Sequence, residues 1–459
     1  MTEIPERILR EYDIRGLVPG DLSPQVATVL GRAFGTRIRQ VGGTSVAVAR
    51  DGRLSSPLLQ TALVDGLVGC GLEVQLVGMG PTPLLYFSSM ISAADGAVMI
   101  TGSHNPKEYN GMKMVLRNRP FFGNDIRDLR RIAERNDFII GPASHPVPLA
   151  AASQYVNEIL SEVKDMRPLR VVWDCGNGAT GIIVTQIVEN LAGEHTVLYG
   201  TVDGNFPNHH PDPTDPDNLV HLKREVAYRK ADLGIAFDGD GDRIGVIDAR
   251  GRVVWGDQLL LLFAEDVLKQ IPGSTIIVDV KVSRSLLAGI TAAGGAPLLH
   301  PTGHSLIKTK MKEIAAPLAG EMSGHIFFAD RWYGFDDAIY AAVRLLRLVS
   351  AAEPGWLERR LDGLPPIIST PEIRIACPDD HKFGIITAVK QQLEAEGTSF
   401  VAIDGIRVEM PDGWWLLRAS NTQPALIGRC EAATEAKLAS FKLTIQQHLK
   451  RAGLITLLV

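Results

Sequence analysis

The sequence predicts an α/β protein of four domains around a central cleft: three related mixed α/β domains and a final α+β domain with an antiparallel sheet. Three observations predict it. Short apolar runs alternate with stretches of helical spacing through residues 1–364, the pattern of βαβ units. Residues 365–459 instead place several strands in succession between two helices. One polar loop in each of the four stretches follows an expected strand, where α/β sheets place their ligands.

In the first domain, 1–148, Ser23-Pro24 opens a helix with Val26, Leu30, Phe34 and Ile38 on one face. Val46–Ala49 reads as a buried strand. Ser56-Pro57 offers an N-cap followed by proline at the first helical position, with Leu58, Leu59, Ala62, Leu63 and Leu67 at helical spacing. Glu73–Gly78 and Gly96–Ile100 are further strands. The Pro/Ala-rich stretch Gly141–Ala152 leads into the second domain, 149–252. There, strands fall at Arg170–Asp174, Thr196–Tyr199 and Leu233–Phe237, and a helix at Gly181–Leu191. A hairpin around Arg250-Gly251 closes that unit. The third domain, 253–364, has helices from Asp257 and Ser283 and strands at Thr275–Val280, Pro297–His300 and Pro317–Gly320. After Gly363-Leu-Pro-Pro366 the fourth, 365–459, reads as strand Glu372–Ala376, helix His381–Glu396 and four strands. These are Phe400–Ile403, Arg407–Met410, Trp414–Arg418 and Ile427–Ala432, with a turn at Pro411-Asp-Gly413 and a long helix to follow.

Composition narrows the class. With 47 Lys+Arg against 52 Asp+Glu the net charge is −5, which argues against nucleic acid or an acidic membrane surface as partner. The four cysteines, Cys70, Cys175, Cys377 and Cys430, lie far apart and form neither a disulfide framework nor a zinc ribbon. Met1–Arg7 lacks a signal-peptide core, and no apolar run is long enough to span a membrane. A reduced, cytoplasmic location is the expectation.

The four loops carry the chemistry. Thr101-Gly-Ser-His-Asn-Pro106 sets a serine hydroxyl beside a histidine, either a nucleophile or a turn of ordinary turn residues. Asp238-Gly-Asp-Gly-Asp-Arg243 brings together three carboxylates, which repel unless a cation holds them. All-oxygen ligands suit Mg²⁺, and the glycines permit the tight fold. An EF-hand is excluded, because Arg243 stands at its glycine position. In Gly320-Glu-Met-Ser-Gly-His325, Glu321 and Ser323 either hold sugar hydroxyls or cap a turn. Arg418-Ala-Ser-Asn-Thr-Gln-Pro424, with Arg429 beyond it, offers a guanidinium among hydroxyls and amides, the donor set for a phosphate.

Two other patterns compete. Gly176-Asn-Gly-Ala-Thr-Gly181 matches a dinucleotide fingerprint, but Asp174 beside it would repel a pyrophosphate. The acidic and histidine residues around His209-His210 hint at a second metal, but the prolines at 207, 211, 213 and 216 favour a rigid solvated loop.

Taken together, the loops resemble the α-D-phosphohexomutase family over the whole chain, in its bacterial branch acting on mannose and glucose phosphates. Tyr12-Asp-Ile-Arg-Gly16, Tyr109-Asn-Gly-Met-Lys113, Asp279-Val-Lys281, Gly303-His304-Ser305 and Trp332-Tyr-Gly-Phe-Asp336 add to the likeness. The resemblance implies an isomerase that moves a phosphoryl group between hexose 1-phosphate and hexose 6-phosphate. It implies a phosphorylated Ser103, with Asp238, Asp240 and Asp242 binding Mg²⁺ together with a phosphoserine oxygen. Glu321 and Ser323 then read the sugar, and Arg418, Ser420, Asn421 and Thr422 clamp the other phosphate, with Arg429 nearby. Lys113 and His325 are the acid/base candidates, Lys113 as a base if neighbouring cations lower its pKa. Arg243, His104, Arg15, Tyr12, Lys281 and His304 are supporting contacts. Hexose 1,6-bisphosphate is the implied activator, phosphosugars the only partners, and a monomer the expected state. The alternatives are a phosphoglucosamine mutase, disfavoured by Met322 where that branch usually has Gln, a Mg²⁺-dependent phosphatase, and a non-catalytic sugar-phosphate-binding relative.

Overall fold

The computed structural model describes residues 3–142, 144–366, 368–421 and 424–456. It contains four sheets in chain order, three mixed and one wholly antiparallel. In the first, Tyr109–Leu116 runs antiparallel between Ile14–Leu17 and Gly96–Ile100. Ser45–Arg50, Glu73–Met79 and Val147–Pro148 then continue it in parallel. The second sheet joins Gly193–Leu198, Leu169–Asp174 and Leu233–Phe237 in parallel. Ile244–Asp248 and Val253–Val254 add to it antiparallel. The third orders Ala296–His300, Thr275–Asp279, Leu318–Gly320 and Ile326–Phe328, with the last strand antiparallel. The fourth sets Ile373–Ala376, Ala425–Ala432, Gly413–Ala419 and Ile406–Met410 side by side.

One local device recurs in all four. A central strand reaches the cleft, turns through a polar loop and returns as an antiparallel neighbour. The register pairs Ile100 with Met112, Phe237 with Ile244, Gly320 with Ile326 and Ala419 with Leu426. Each loop of chemical interest is thus a hairpin loop, its two ends tied by ladder hydrogen bonds.

Local signals explain most elements. Ser23 Oγ accepts from the Val26 amide, and Pro24 fills the first position of the helix Pro24–Gln40. The cap expected at Ser56 lies one residue earlier, at Ser55. Ser56 is already helical because its hydroxyl is committed to Asp51, at 2.5 Å. The strand expected at Phe400–Ile403 reduces to a single bridge between Val401 and Arg407, since the chain turns at once to aim Asp404 at Arg418. The helix Ala338–Ala351 has buried residues on nearly every face, Arg344 among them.

The domains pack through defined seams. Apolar residues of the second and third sheets share one core with Leu84, Tyr86 and Phe87 of the first domain. The fourth domain has its own core and meets the third where Val280, Trp414 and Leu416 cluster. At that seam Arg407 stacks 3.9 Å over the Trp414 ring and donates to the carbonyls of Val280 and Val282, at 2.7 and 2.8 Å. No described helix is long and apolar enough to cross a membrane.

Pro24–Gln40 and Ser56–Val68 cross at two glycines. A Cβ at Gly31 would lie 2.2 Å from the Leu63 carbonyl, and one at Gly66 would lie 2.3 Å from the Thr28 carbonyl. Gly66→Val is therefore expected to destabilise the first domain by ~3 kcal/mol through overpacking. A lowered thermal midpoint checks it, and an unchanged midpoint contradicts this crossing geometry.

Candidate active site

The four hairpin loops converge. Ser103 follows the strand Gly96–Ile100, is buried, and takes a left-handed backbone with φ of 49°. Its Oγ donates to Asp238 Oδ2 at 2.8 Å, so the first loop meets the second directly. His104 Nδ1 lies 3.2 Å from the same oxygen.

Asp238, Asp240 and Asp242 are fully buried, and one carboxylate oxygen from each lies within 4.8 Å of the others. The chain folds this way because the Asp238 Oδ1 caps its own loop, accepting from the amides of Gly241, Asp242 and Arg243. Gly241, at φ 75°, makes the turn. Burial and then the charges of Asp242 and Asp240 push the Asp238 carboxyl well up. The Oδ1 atoms of Asp240 and Asp242 are buried without a hydrogen-bond partner. Two such oxygens, converging with the Asp238 carboxylate to within 4.8 Å, fit a hard divalent cation.

Lys113 stands on Tyr109–Leu116, a strand that sequence reasoning passed over because Asn, Gly and Lys are poor strand formers. Its Nζ donates to Asp240 at 2.7 Å and also to Asp242. The lowered pKa expected for Lys113 is therefore corrected: burial alone would depress it, but Asp240 and Asp242 outweigh burial and hold the ammonium well above its usual range. It is a cation here, not a base.

On the third loop, burial would raise the Glu321 carboxyl, but His325 and Lys281 bring it down to about 2. Glu321 accepts from the Gly303 amide at 2.6 Å and pairs with His325 Nδ1 at 2.7 Å. Ser323 Oγ lies 3.0 Å from the same ring nitrogen. His325 Nε2 faces Asp242 at 3.4 Å and shares that space with the Arg243 guanidinium. His304 stacks on His325 with ring centroids 5.8 Å apart. Burial, Lys308 and Lys113 push the His304 imidazole down, and burial with Arg243 and Arg15 does the same to His104.

The fourth loop closes the ring. Arg418 is buried and pairs through Nε with Asp404 at 2.9 Å. Asn421 Nδ2 donates to the Tyr12 hydroxyl at 2.7 Å, and that hydroxyl donates to the Thr302 carbonyl, also at 2.7 Å. Lys281 pairs with Glu372 at 2.8 Å, and Arg15 with Asn105 at 2.6 Å. Ser420 is buried at the head of the loop, its amide bonded to the Ala425 carbonyl. Thr422 lies outside the described residues. Arg429 opposes Leu416 and Arg418 opposes Ile427, so the two arginines share one face of the sheet, with the Arg429 guanidinium 5.8 Å from the Trp414 ring.

Several residues escaped the sequence reading. Thr82 donates to Asp240 at 2.5 Å and its amide to the Asp240 carbonyl. Asp336 lies 3.4 Å from His304 and pairs with Lys308 at 2.7 Å. Asp404 and Glu372 are the counter-charges of Arg418 and Lys281. Asp336 entered the sequence reading only as the end of the Trp332–Asp336 motif, with no role; the others are ordinary polar residues with no local pattern to mark them.

His325 gives a pH test. Burial lowers its pKa, but Asp242 and Glu321 raise it from 6.5 to about 9. A raised folded-state value contributes stability that is full below 6.5 and lost as pH rises through about 9. The metal-free protein should lose thermal stability over that window, and His325→Gln should flatten the loss. A His325 ring that titrates at its ordinary value in an NMR titration contradicts the pairing.

Four family models match consecutive parts of the chain. Phosphoglucomutase/phosphomannomutase alpha/beta/alpha domains I, II and III cover residues 6–139, 153–251 and 255–364, and the C-terminal domain covers 372–447. A phosphomannomutase/phosphoglucomutase of Pseudomonas aeruginosa is 46% identical over 97% of this chain and 96% of its own. A phosphoglucomutase of Neisseria meningitidis is 42% identical over 98% of both chains. The crystal structure of a phosphoglucomutase/phosphomannomutase family protein from Burkholderia thailandensis superimposes with a TM-score of 0.91, at 44% identity and 98% coverage of each chain. The loops that meet in this cleft are therefore those of a member of the phosphoglucomutase/phosphomannomutase family, to which the chain belongs.

Proposed function

We propose that the protein is a phosphomannomutase/phosphoglucomutase that interconverts hexose 1-phosphates and hexose 6-phosphates of glucose and mannose. Ser103 carries the phosphoryl group and hexose 1,6-bisphosphate is the intermediate and activator. The observation that carries this reading is the Ser103 hydroxyl, 2.8 Å from the buried carboxylate cluster and facing the Glu321 and Arg418 loops across one cleft.

Asp238, Asp240 and Asp242 would hold Mg²⁺ together with a phosphoserine oxygen. When bound, the ion offsets charge on the transferring group, the main demand of phosphoryl transfer. The remaining work falls to the side chains. The free sugar hydroxyl attacks phosphorus and passes its proton to a base in the cleft, the bond to Ser103 Oγ breaks, and Oγ takes up a proton. His104 Nδ1, 3.2 Å away, is placed to supply or relay it. Lys113, Arg243 and Arg15 keep positive charge around the group in flight. His325 holds its proton at neutral pH and acts first as an acid, while His304, kept neutral by burial and Lys308, is free to accept one.

The bisphosphate then turns over and returns its other phosphoryl group to Ser103. Either end must fit the same clamp, which Arg418, Ser420 and Asn421 form from one loop, with Tyr12 and Lys281 from the facing walls. Glu321 and Ser323 hold O3 and O4, which glucose and mannose share, and no side chain of that loop is assigned to O2. Both sugars are expected as substrates for that reason.

A panel of glucose, mannose and glucosamine 1-phosphates with a trace of bisphosphate tests the function. Isomerised glucose and mannose 6-phosphates support it. Released inorganic phosphate indicates a phosphatase, and neither product a binding protein; both overturn it. Intact mass should show one phosphoryl group on the protein, absent in Ser103→Ala, with activity lowered by on the order of 10⁴-fold or more. An unmodified and fully active protein sinks the mechanism.

Arg418→Ala should raise KM for both sugars by ~10- to 100-fold, since bonds to a charged group contribute about 1.5–3 kcal/mol, with a smaller effect on kcat. An unchanged KM counts against the clamp.

A further inference from the structure

Asp51-Gly52-Arg53 follows the strand Ser45–Arg50 and has no part in the mechanism above. Arg53 is nonetheless 1% exposed, among the largest wholly buried side chains. A guanidinium has five N–H donors, and the acceptors around Arg53 use all of them. Nε donates to Asp51 Oδ2 at 3.1 Å. Nη1 donates to the carbonyls of Pro106 and Tyr109, at 2.6 and 2.9 Å. Nη2 donates to the carbonyls of Ser103 and Asn105, at 2.6 and 2.7 Å. Four of the five acceptors are backbone oxygens, three in the loop that carries Ser103 and one on the first residue of the strand that follows it.

The rest of the surroundings serve the same loop. Asp51 Oδ2 also accepts from the Gly102 amide at 3.2 Å, and its Oδ1 accepts from Ser56 Oγ and the Arg53 amide. A Cβ on Gly102 would lie 2.5 Å from the guanidinium carbon, so the loop rests directly on the cation. Ser103 itself holds φ at 49°, a conformation that costs a non-glycine residue about 1 kcal/mol. On its other side the guanidinium lies 5.2 Å from the ring centroid of Phe206, in the second domain. Gly204 fits against Gly52 and Arg53 so closely that a Cβ there would come within 2.6 Å of the Gly52 carbonyl. The second domain also carries Asp238, the acceptor of the Ser103 hydroxyl.

We propose that Arg53 is the positioning residue of the reaction: it holds the Ser103 loop in its left-handed turn and locks that loop to the domain bearing the carboxylate cluster. The inference rests on the reading of Ser103 as the phosphoryl carrier. All five Arg53 donors are spent on protein acceptors, so its loss should show in the transfer step and not in substrate capture. Lysine keeps the charge but has three donors, too few for five acceptors, and no planar fork.

The test uses the full-length Mg²⁺-loaded protein with glucose 1-phosphate. In Arg53→Lys, kcat should fall by ~100-fold while KM stays within ~3-fold, the effect of a reacting group displaced by about 1 Å. Arg53→Ala should regain about 10-fold in kcat when guanidinium is added below denaturing concentration, which a general loss of folding would not do. A folded Arg53→Lys protein with unchanged kcat, or one whose KM rises while kcat holds, overturns the inference. So does a folded Arg53→Ala protein that guanidinium does not rescue. Should Arg53→Ala fail to fold, Arg53→Lys decides alone. Wild-type protein weighed in parallel separates the two readings: a missing phosphoryl group on Ser103 overturns the functional reading itself, whereas failure in the variants alone overturns only the role of Arg53.

Discussion

Three carboxylates cannot share a dry pocket without a cation among them. Asp238, Asp240 and Asp242 are wholly buried, with oxygens within 4.8 Å of one another, and much else in the structure answers that concentration of charge. Lys113 comes from the first domain to bridge two of them, and His325 from the third to face Asp242. Thr82 and Ser103 donate hydroxyls. Arg243 and the loop's own amides help from within the second domain, but Lys113, His325, Thr82 and Ser103 all come from other domains. The repulsion inside one loop is thereby turned into attraction between domains, and the cleft is assembled around its own most unfavourable feature.

The hairpin is the mechanical complement to that electrostatic arrangement. A loop that merely ended a parallel strand would be tied down on one side. Here each is tied on both, because the chain returns antiparallel beside the strand it left. Polar side chains are then fixed by ladder hydrogen bonds on either flank. This explains how residues far apart in the chain, such as Tyr12 and Asn421, meet with hydrogen-bond accuracy.

The fold class and the residues of the four loops could be read from the chain, because alternating apolar runs and clustered loop polarity are local signals. What stayed hidden was set by tertiary environment. The strand bearing Lys113 contains poor strand formers that burial overrides. The protonation of Lys113 depends on two aspartates more than a hundred residues away, whereas its expected role as a base, implied by the resemblance, required neighbouring cations.

The fourth domain is gripped unevenly. Along the Val280 seam it is bound by an apolar cluster, a stacked arginine and several backbone bonds. Across the mouth of the cleft, its Asn421 reaches the first domain through the Tyr12 phenol. Parting there costs the phenol one donor that water can replace and loosens the part-exposed Arg10–Asp379 pair at 3.6 Å, a net loss of about 1–2 kcal/mol. The molecule is thus a jaw with a stiff joint and a weak catch. A sugar phosphate that bridges the opposite walls would hold the jaw shut far more firmly than the protein does by itself.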